Sequence, residues 1–207
     1  MDEATTIMFV TSNQGKISEA KEALRPYGIN VESYVPNPEI DEIQSADLVE
    51  VAADKLMKAV SNSTLPSSIL GVMVEDAGFF LDEYEGFPGV YSAYVHKTLG
   101  ISGVLRSLKG IENRNASFRC VIGIYIEGEN FFFEGACKGI VSDKIRGLNG
   151  FGYDPIFIPN EGDGRTFAEM KLEEKAKFSH RAKALGAFRS FLEEWKQSPT
   201  SNHGNGS

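Results

Sequence analysis

The chain opens with a short apolar run, IMFVT at residues 7–11, followed by the polar turn SNQG. Ile17, Ala20, Leu24 and Tyr27 then recur at helical spacing, which predicts a helix with one buried face, and Pro26 and Gly28 mark its end. Residues 31–35, VESYV, read as a second strand. Strand, turn, helix and strand in this order predict an α/β fold. PNPEIDEIQ is a loop by its prolines and polar residues. A second helix is expected from Ser45 to Ser61, with Leu48, Ala52, Leu56 and Val60 every four positions, and NSTLPSS closes it. ILGVMVE, residues 69–75, is a continuous apolar run ending in carboxylates, as in a buried strand whose C-terminal end reaches a site.

Residues 78–98 hold many glycines and aromatics and have no clean period. ISGVLRSLKG predicts a short helix. Residues 117–126 and 131–141 read as strands, with EGEN between them as a hairpin turn. GLNGFGYDP is a glycine-rich loop ahead of the strand-like IFIP. Leu185, Phe188, Leu192 and Trp195 predict a closing helix. The expected architecture is a single α/β domain over residues 1–196, with a disordered polar tail at 197–207.

Length and charge narrow the function. The 207 residues suit one large domain or two closely joined lobes. A net charge of −8 and a pI near 5.0 argue against a nucleic-acid polymer as partner, whereas a small nucleotide needs only a local pocket of cations and amides. Cys120 and Cys137 lie in alternating apolar runs without metal-type spacing, so buried free thiols are expected. The N-terminus lacks a leader pattern, and no apolar stretch approaches the ~18 residues of a membrane span. A cytoplasmic protein without membrane contact is the expectation.

Five groups of residues have chemical potential. In TSNQGK, residues 11–16, a strand ends and a helix begins. The first amides of a helix have no internal partners and lie at its positive end, an arrangement that binds anions. Lys16 adds a full charge, and Thr11 and Asn13 add hydrogen-bonding groups. The same residues also suit an ordinary turn capped by Asn13, and the spacing is not that of a P-loop. Glu75 and Asp76 come next. Side chains alternate along a strand, so a straight strand would send the two carboxylates to opposite faces. A bend at Ala77 and Gly78 is expected to bring both to one site. One acid would then hold Mg²⁺ while the other takes a proton from an attacking water; a solvated acidic turn is the plainer reading.

The third group is Asp41 and Glu42 with Lys55, which borders the buried stripe of its helix and can reach a cleft to neutralise phosphate. In the fourth, Gly150 and Gly152 permit close ligand approach, Phe151 or Tyr153 can stack on a base, and Asp154 is an acceptor for a base edge. Ser179, His180 and Arg181 form the fifth, with Ser179 as a helix cap and Lys171, Lys175 and Lys177 just upstream.

The order of these motifs carries more than any one of them. TSNQGKxxE, then VEDAG with EGFPGVYSA, then GFGYDPIF, then SHRAKAL resembles the inosine triphosphate pyrophosphatase family from about Thr11 to Trp195. The resemblance implies two lobes around a long mixed sheet with the site in the cleft, a homodimer, Mg²⁺ dependence, and removal of ITP, dITP and XTP by hydrolysis to monophosphate and pyrophosphate. It implies triphosphate contacts from Thr11, Asn13 and Lys16, phosphate contact from Lys55, and metal association of Glu42 and Glu75. Asp76 becomes the general base beside the metal. Phe151, Gly152, Tyr153 and Asp154 surround the base; Lys175, Ser179, His180 and Arg181 complete the pocket. Ala77 stands where the family often has Ser or Thr, which removes a hydroxyl from the phosphate end.

Overall fold

The computed structural model describes residues 5–36, 40–61 and 69–195. The expected C-terminal tail and the NSTLPSS helix end lie outside the described residues, as does part of the PNPEIDEIQ loop.

Strand β1 (Thr5–Val10) leads through helix α1 (Gln14–Leu24) into β2 (Ile29–Tyr34), which pairs parallel to it with Ile7 opposite Val31. Helix α2 (Leu48–Ser61) precedes β3 (Ile69–Leu81), parallel to β1 on its other side. The two-residue strand β4 (Pro88–Gly89) folds back on the end of β3, and helices α3 (Ser92–Thr98) and α4 (Gly100–Ser107) follow. Strands β5 (Asn115–Ile126) and β6 (Glu129–Val141) form a long antiparallel hairpin. Its turn residues Glu127 and Gly128 both take positive φ, at 49° and 91°, as a tight turn matched to strand twist requires. Strand β7 (Phe157–Pro159), helix α5 (Leu172–Lys175) and helix α6 (His180–Trp195) complete the chain. The mixed sheet runs β2-β1-β3-β5-β6-β7, with β4 on β3.

The apolar stripes explain the layers. Ile17, Ala20 and Leu24 of α1 and Leu185, Phe188 and Leu192 of α6 pack on one sheet face against Ile7, Phe9, Met73 and Ile122. Leu56 and Ala59 of α2 cover the opposite face over Met8, Val72 and Val74. A further cluster around Phe79, Tyr153, Phe157 and Phe167 fills the end of the sheet beneath α3 and α4. Both cysteines are buried and free.

Three expectations need correction. Tyr27 leaves the α1 face because residues Arg25–Tyr27 tighten into a 3₁₀ turn, and its ring lies 4.6 Å from the Arg189 guanidinium. Helix α2 begins at Leu48 rather than Ser45: the Ser45 hydroxyl accepts from the Asp47 amide, and the Asp47 carboxylate accepts from the Val49 amide, forming a polar entry turn. Most importantly, β3 does not bend at Ala77. It pairs with β5 without a break from Gly71 opposite Ile126 to Leu81 opposite Ala116. Gly78 serves closeness instead of bending, since a Cβ there would lie 2.5 Å from the Gly89 carbonyl oxygen of β4.

Gly135 has a similar role under α6, where an added Cβ would stand 2.0 Å from the His180 carbonyl oxygen and 2.7 Å from the Ala184 nitrogen. Gly135→Ala should push α6 off the sheet and lower stability by about 1–3 kcal/mol or more. Gly186→Ala, on the same helix with open space around the new methyl, should raise stability by up to about 1 kcal/mol. Urea denaturation of the two variants checks both signs.

Candidate active site

A cavity of about 620 Å³ opens between the end of β1, the 151–154 loop, α3 and the start of α6. Strand topology creates it. β1 pairs with β3 only as far as Phe9 opposite Met73, and β4 rejoins β3 at Phe79 and Phe80. Glu75, Asp76, Ala77 and Gly78 therefore occupy the stretch of β3 between its pairings with β1 and β4.

One end of the cavity is built to meet anions. Asn13 caps α1, its Oδ1 accepting from the Lys16 amide at 3.1 Å, and the Thr11 hydroxyl accepts from the Asn13 amide at 3.2 Å. Lys16 reaches forward to the Glu75 carboxylate, 3.4 Å away. Lys55 of α2 pairs with Glu42, and both line the cavity, as do Thr11, Asn13 and Lys16. Asp41 instead offers its carbonyl to Lys58 at 2.8 Å.

The paired acids have opposite environments. Because β3 is straight, Glu75 and Asp76 point to opposite sheet faces, and the site wraps around the strand edge. Glu75 is held by a two-pronged contact with Arg181, at 2.5 Å to Nε and 2.7 Å to Nη2. Burial alone would raise its pKa, but Arg181 and Lys16 overcome that and hold it at about 2. Asp76 has no such clamp. Burial raises its pKa to about 6 against the pull of Lys16 and Lys55, with Glu42 and Glu75 adding repulsion. Its Oδ2 is buried with no hydrogen-bond partner among the described residues.

Behind the cavity runs a chain of buried charges. Arg181 donates to Glu75 and, through Nη1, to Glu19; Lys175 donates to Glu19 at 2.8 Å and to Asp154 at 2.7 Å. The Asp154 Oδ2 also accepts from the Phe151 amide at 2.9 Å. The 151–154 loop is thereby fastened to α1, α5 and α6. Gly15 permits this approach, for a Cβ there would sit 2.3 Å from the Phe151 ring. The same ring lies 5.2 Å from Lys175 Nζ and 5.7 Å from Arg181 Cζ.

Twelve of the sixteen predicted positions line the opening, while Glu75 and Asp76 stand beside it on β3, next to the lining residue Ala77. Thr11, Asn13, Lys16, Lys55, Ala77, Phe151, Gly152, Tyr153, Asp154, His180, Arg181 and Glu42 line the cavity. Lys175 is buried behind it between Glu19 and Asp154, and Ser179 caps α6 through its hydroxyl, which accepts from the Ala182 amide at 3.1 Å. Tyr153 stacks on Phe79 at 4.6 Å and donates its hydroxyl to the Ser92 carbonyl. His180 stacks on Phe118 at 4.9 Å. Burial, then Arg181, lowers its pKa to about 3, so the ring is neutral. Sequence reasoning missed Glu19, which is the final residue of the TSNQGKxxE motif, and it missed Ser92, His96 and Phe118 on the cavity wall.

Among the described residues, no group of three or more His, Cys, Asp or Glu side chains converges as a ready-made metal site. No helix among them is long and apolar enough to cross a membrane.

A profile of the Ham1 family matches residues 7–191. The dITP/XTP pyrophosphatase of Pyrococcus horikoshii is 44% identical over 187 residues, covering 90% of this chain and 96% of that protein. The dITP/XTP pyrophosphatase of Methanopyrus kandleri is 46% identical over 184 residues, covering 88% and 93%. Among solved structures, the Ham1 protein of Staphylococcus aureus superposes with a TM-score of 0.74 at 30% identity, over 92% of this chain and 100% of that one. The nucleoside-triphosphatase / dITP/XTP pyrophosphatase of Mycobacterium abscessus gives 0.66 at 32%, over 89% and 98%.

Glu19 neutralises two buried cations, so Glu19→Gln should destabilise the protein by about 3–5 kcal/mol at neutral pH. Its pKa is lowered on folding, because Arg181 and Lys175 outweigh the effect of burial. The stability it provides is therefore present above the ordinary carboxylate range and lost as pH falls through it. Urea midpoints of wild type and Glu19→Gln should converge on acidification; a constant gap would refute this role.

Proposed function

The chain belongs to the Ham1 family, and we propose that it hydrolyses aberrant purine nucleoside triphosphates (ITP, dITP and XTP) to the monophosphate and pyrophosphate, cleansing the nucleotide pool. The observation that carries the mechanistic reading is a carboxylate of raised pKa beside an anion-receiving end: Asp76 directly precedes the cavity-lining Ala77 and feels the charges of Lys16 and Lys55. Lys16, Lys55 and the first amides of α1 supply positive charge for a triphosphate. Asp76 is ionised at neutral pH yet more basic than an ordinary carboxylate, which suits a general base.

The residues fit a Mg²⁺ ion. Glu42 lines the cavity, and Asp76, close enough to feel Glu42, Lys16 and Lys55, has an Oδ2 with no hydrogen-bond partner among the described residues, so the two carboxylates offer oxygen donors. Mg²⁺ takes few carboxylates and completes its shell with water and phosphate oxygens. We assign Asp76 and Glu42 to hold it. Glu75 supports them from the other sheet face, with both its oxygens engaged by Arg181. When bound, Mg²⁺ would neutralise charge on the phosphates.

In this reading Asp76 orients a water and accepts its proton as the oxygen attacks phosphorus near the α–β linkage. The bond to the pyrophosphate oxygen breaks, and Lys16, Lys55 and the α1 amides hold the charge of the leaving group. The protein contributes mainly position and electrostatics. Thr11 and Asn13 shape the phosphate turn. The 151–154 loop, His180 and Arg181 enclose the base, and Lys175 and Ser179 fasten that wall. Ala77 leaves the phosphate end without a hydroxyl.

We extend the reading to a cytoplasmic homodimer built from a single domain over residues 1–196. Phe132 and Ile140, exposed on the β6 face turned away from α6, support a covered surface. Light scattering that returns the mass of a single chain would remove the dimer.

Pyrophosphate release should be strong and Mg²⁺-dependent with ITP, XTP and dITP and weak with ATP and GTP. Release of orthophosphate, or equal turnover of ATP and ITP, would overturn the proposal. In the same assay Asp76→Asn should lower kcat by roughly 10²–10⁴ with nucleotide binding largely kept. The folded pKa of Asp76, about 6, exceeds its ordinary 3.8, so its ionisation opposes folding and stability falls as pH rises through 6. Metal-free Asp76→Asn should consequently be more stable than wild type at pH 7 by about 2–3 kcal/mol, measured by urea denaturation in EDTA.

A further inference from the structure

The base end of the cavity has an aromatic floor with an imidazole at each end. His96 of α3 meets Tyr153 edge-on at 5.5 Å; Tyr153 stacks on Phe79 at 4.6 Å; Phe79 meets Phe118 at 4.9 Å; and Phe118 stacks on His180 at 4.9 Å. All five rings line the cavity. A flat purine seated against this aromatic wall would meet a hydrogen-bonding ring at either end.

Most polar side chains of this region are already engaged. The Ser92 hydroxyl donates to the Gly89 carbonyl and accepts from the Phe79 amide. The Tyr153 hydroxyl donates to the Ser92 carbonyl. The Asp154 Oδ2 holds Lys175 and the Phe151 amide. Arg181 holds Glu19 and Glu75. His96 differs: it is half-buried on the wall, and no hydrogen bond engages its imidazole among the described residues. None of the sequence motifs assigned it a role.

We infer that His96 is a specificity-determining residue that hydrogen-bonds the purine base and favours xanthine over hypoxanthine. This rests on the proposed pyrophosphatase reading. The two bases share the oxo group at position 6 and differ at position 2, where hypoxanthine has a hydrogen and xanthine a second oxygen. The His180 and Arg181 end of the slot meets the shared oxo group. His96, from the separate element α3, donates a ring N–H to the second oxygen. Hypoxanthine offers nothing to that donor, so the contact helps one base and leaves the other nearly unchanged. Losing a hydrogen bond to a substrate oxygen in a sheltered slot changes affinity by about tenfold.

The test is steady-state pyrophosphate release from XTP and ITP by wild type, His96→Leu and His96→Gln, with Mg²⁺ present. His96→Leu should lower kcat/KM for XTP by about tenfold and change that for ITP by less than about twofold. His96→Gln, which keeps a donor, should restore part of the XTP rate. The monophosphates give a second readout by calorimetry: XMP should lose affinity in His96→Leu while IMP does not. If XTP and ITP change together, or neither changes, the assignment of His96 is overturned. If wild type releases pyrophosphate from neither nucleotide, the reaction itself was misread, an outcome distinct from a failed His96 effect.

Discussion

The structure depends on a line of buried charge in which Arg181 and Lys175 alternate with Glu75, Glu19 and Asp154. Each of these five residues is 7% exposed or less. Removing such ions from water is expensive, and their mutual attraction repays it only when geometry is good and every partner is present. The line is therefore poor evidence for extra stability and better understood as a positioning device. It joins β3, α1, α5, α6 and the 151–154 loop, segments far apart in sequence, and it brings the α1 end and the 151–154 loop end of the cavity into fixed relation. Loss of one member leaves a charge buried without compensation, so the five behave as a unit.

The straightness of β3 decides how that line meets the chemistry. Continuous pairing with β5 keeps the pleat regular through Glu75 and Asp76, so adjacent carboxylates serve different faces. Glu75 faces the cationic line and is absorbed into it. Asp76 faces the α2 side, where Lys55 and Glu42 already neutralise each other. Lys16, entering from the α1 N-terminus, acts on both acids. A bend would have mixed the two environments. A regular strand separates them by one residue.

Much of the frame was legible in the sequence because apolar spacing is a local signal. The stripes at Ile17, Ala20 and Leu24, at Leu48, Ala52 and Leu56, and at Leu185, Phe188 and Leu192 are all buried as their periods require. The EGEN turn was legible for the same reason. What could not be read was set by partners distant in sequence. The run at 78–98 hides the last third of β3, because its periodicity is broken by glycines that exist for the approach of β4. Glu19 reads as a solvated helix carboxylate until Lys175 and Arg181 are brought to it. Asp41 and Glu42 are equivalent in the sequence and are told apart only by which one faces Lys55. The ordered motifs pointed to the family and its reaction, while His96 belongs to no motif and emerges only from the cavity wall.

The contrast between the adjacent acids gives the site its asymmetry. Two adjacent carboxylates on opposite sheet faces have surroundings that drive their pKa values to about 2 and about 6. The lower one is permanently charged and anchors Arg181. The higher one has no hydrogen bond at Oδ2 among the described residues, which costs stability in the resting protein. Such an unsatisfied group persists only where the surrounding structure is strong enough to hold it. Here that strength comes from the neighbouring residue: the clamp on Glu75 fixes the strand that carries Asp76, so the stabilised acid holds the reactive one in place.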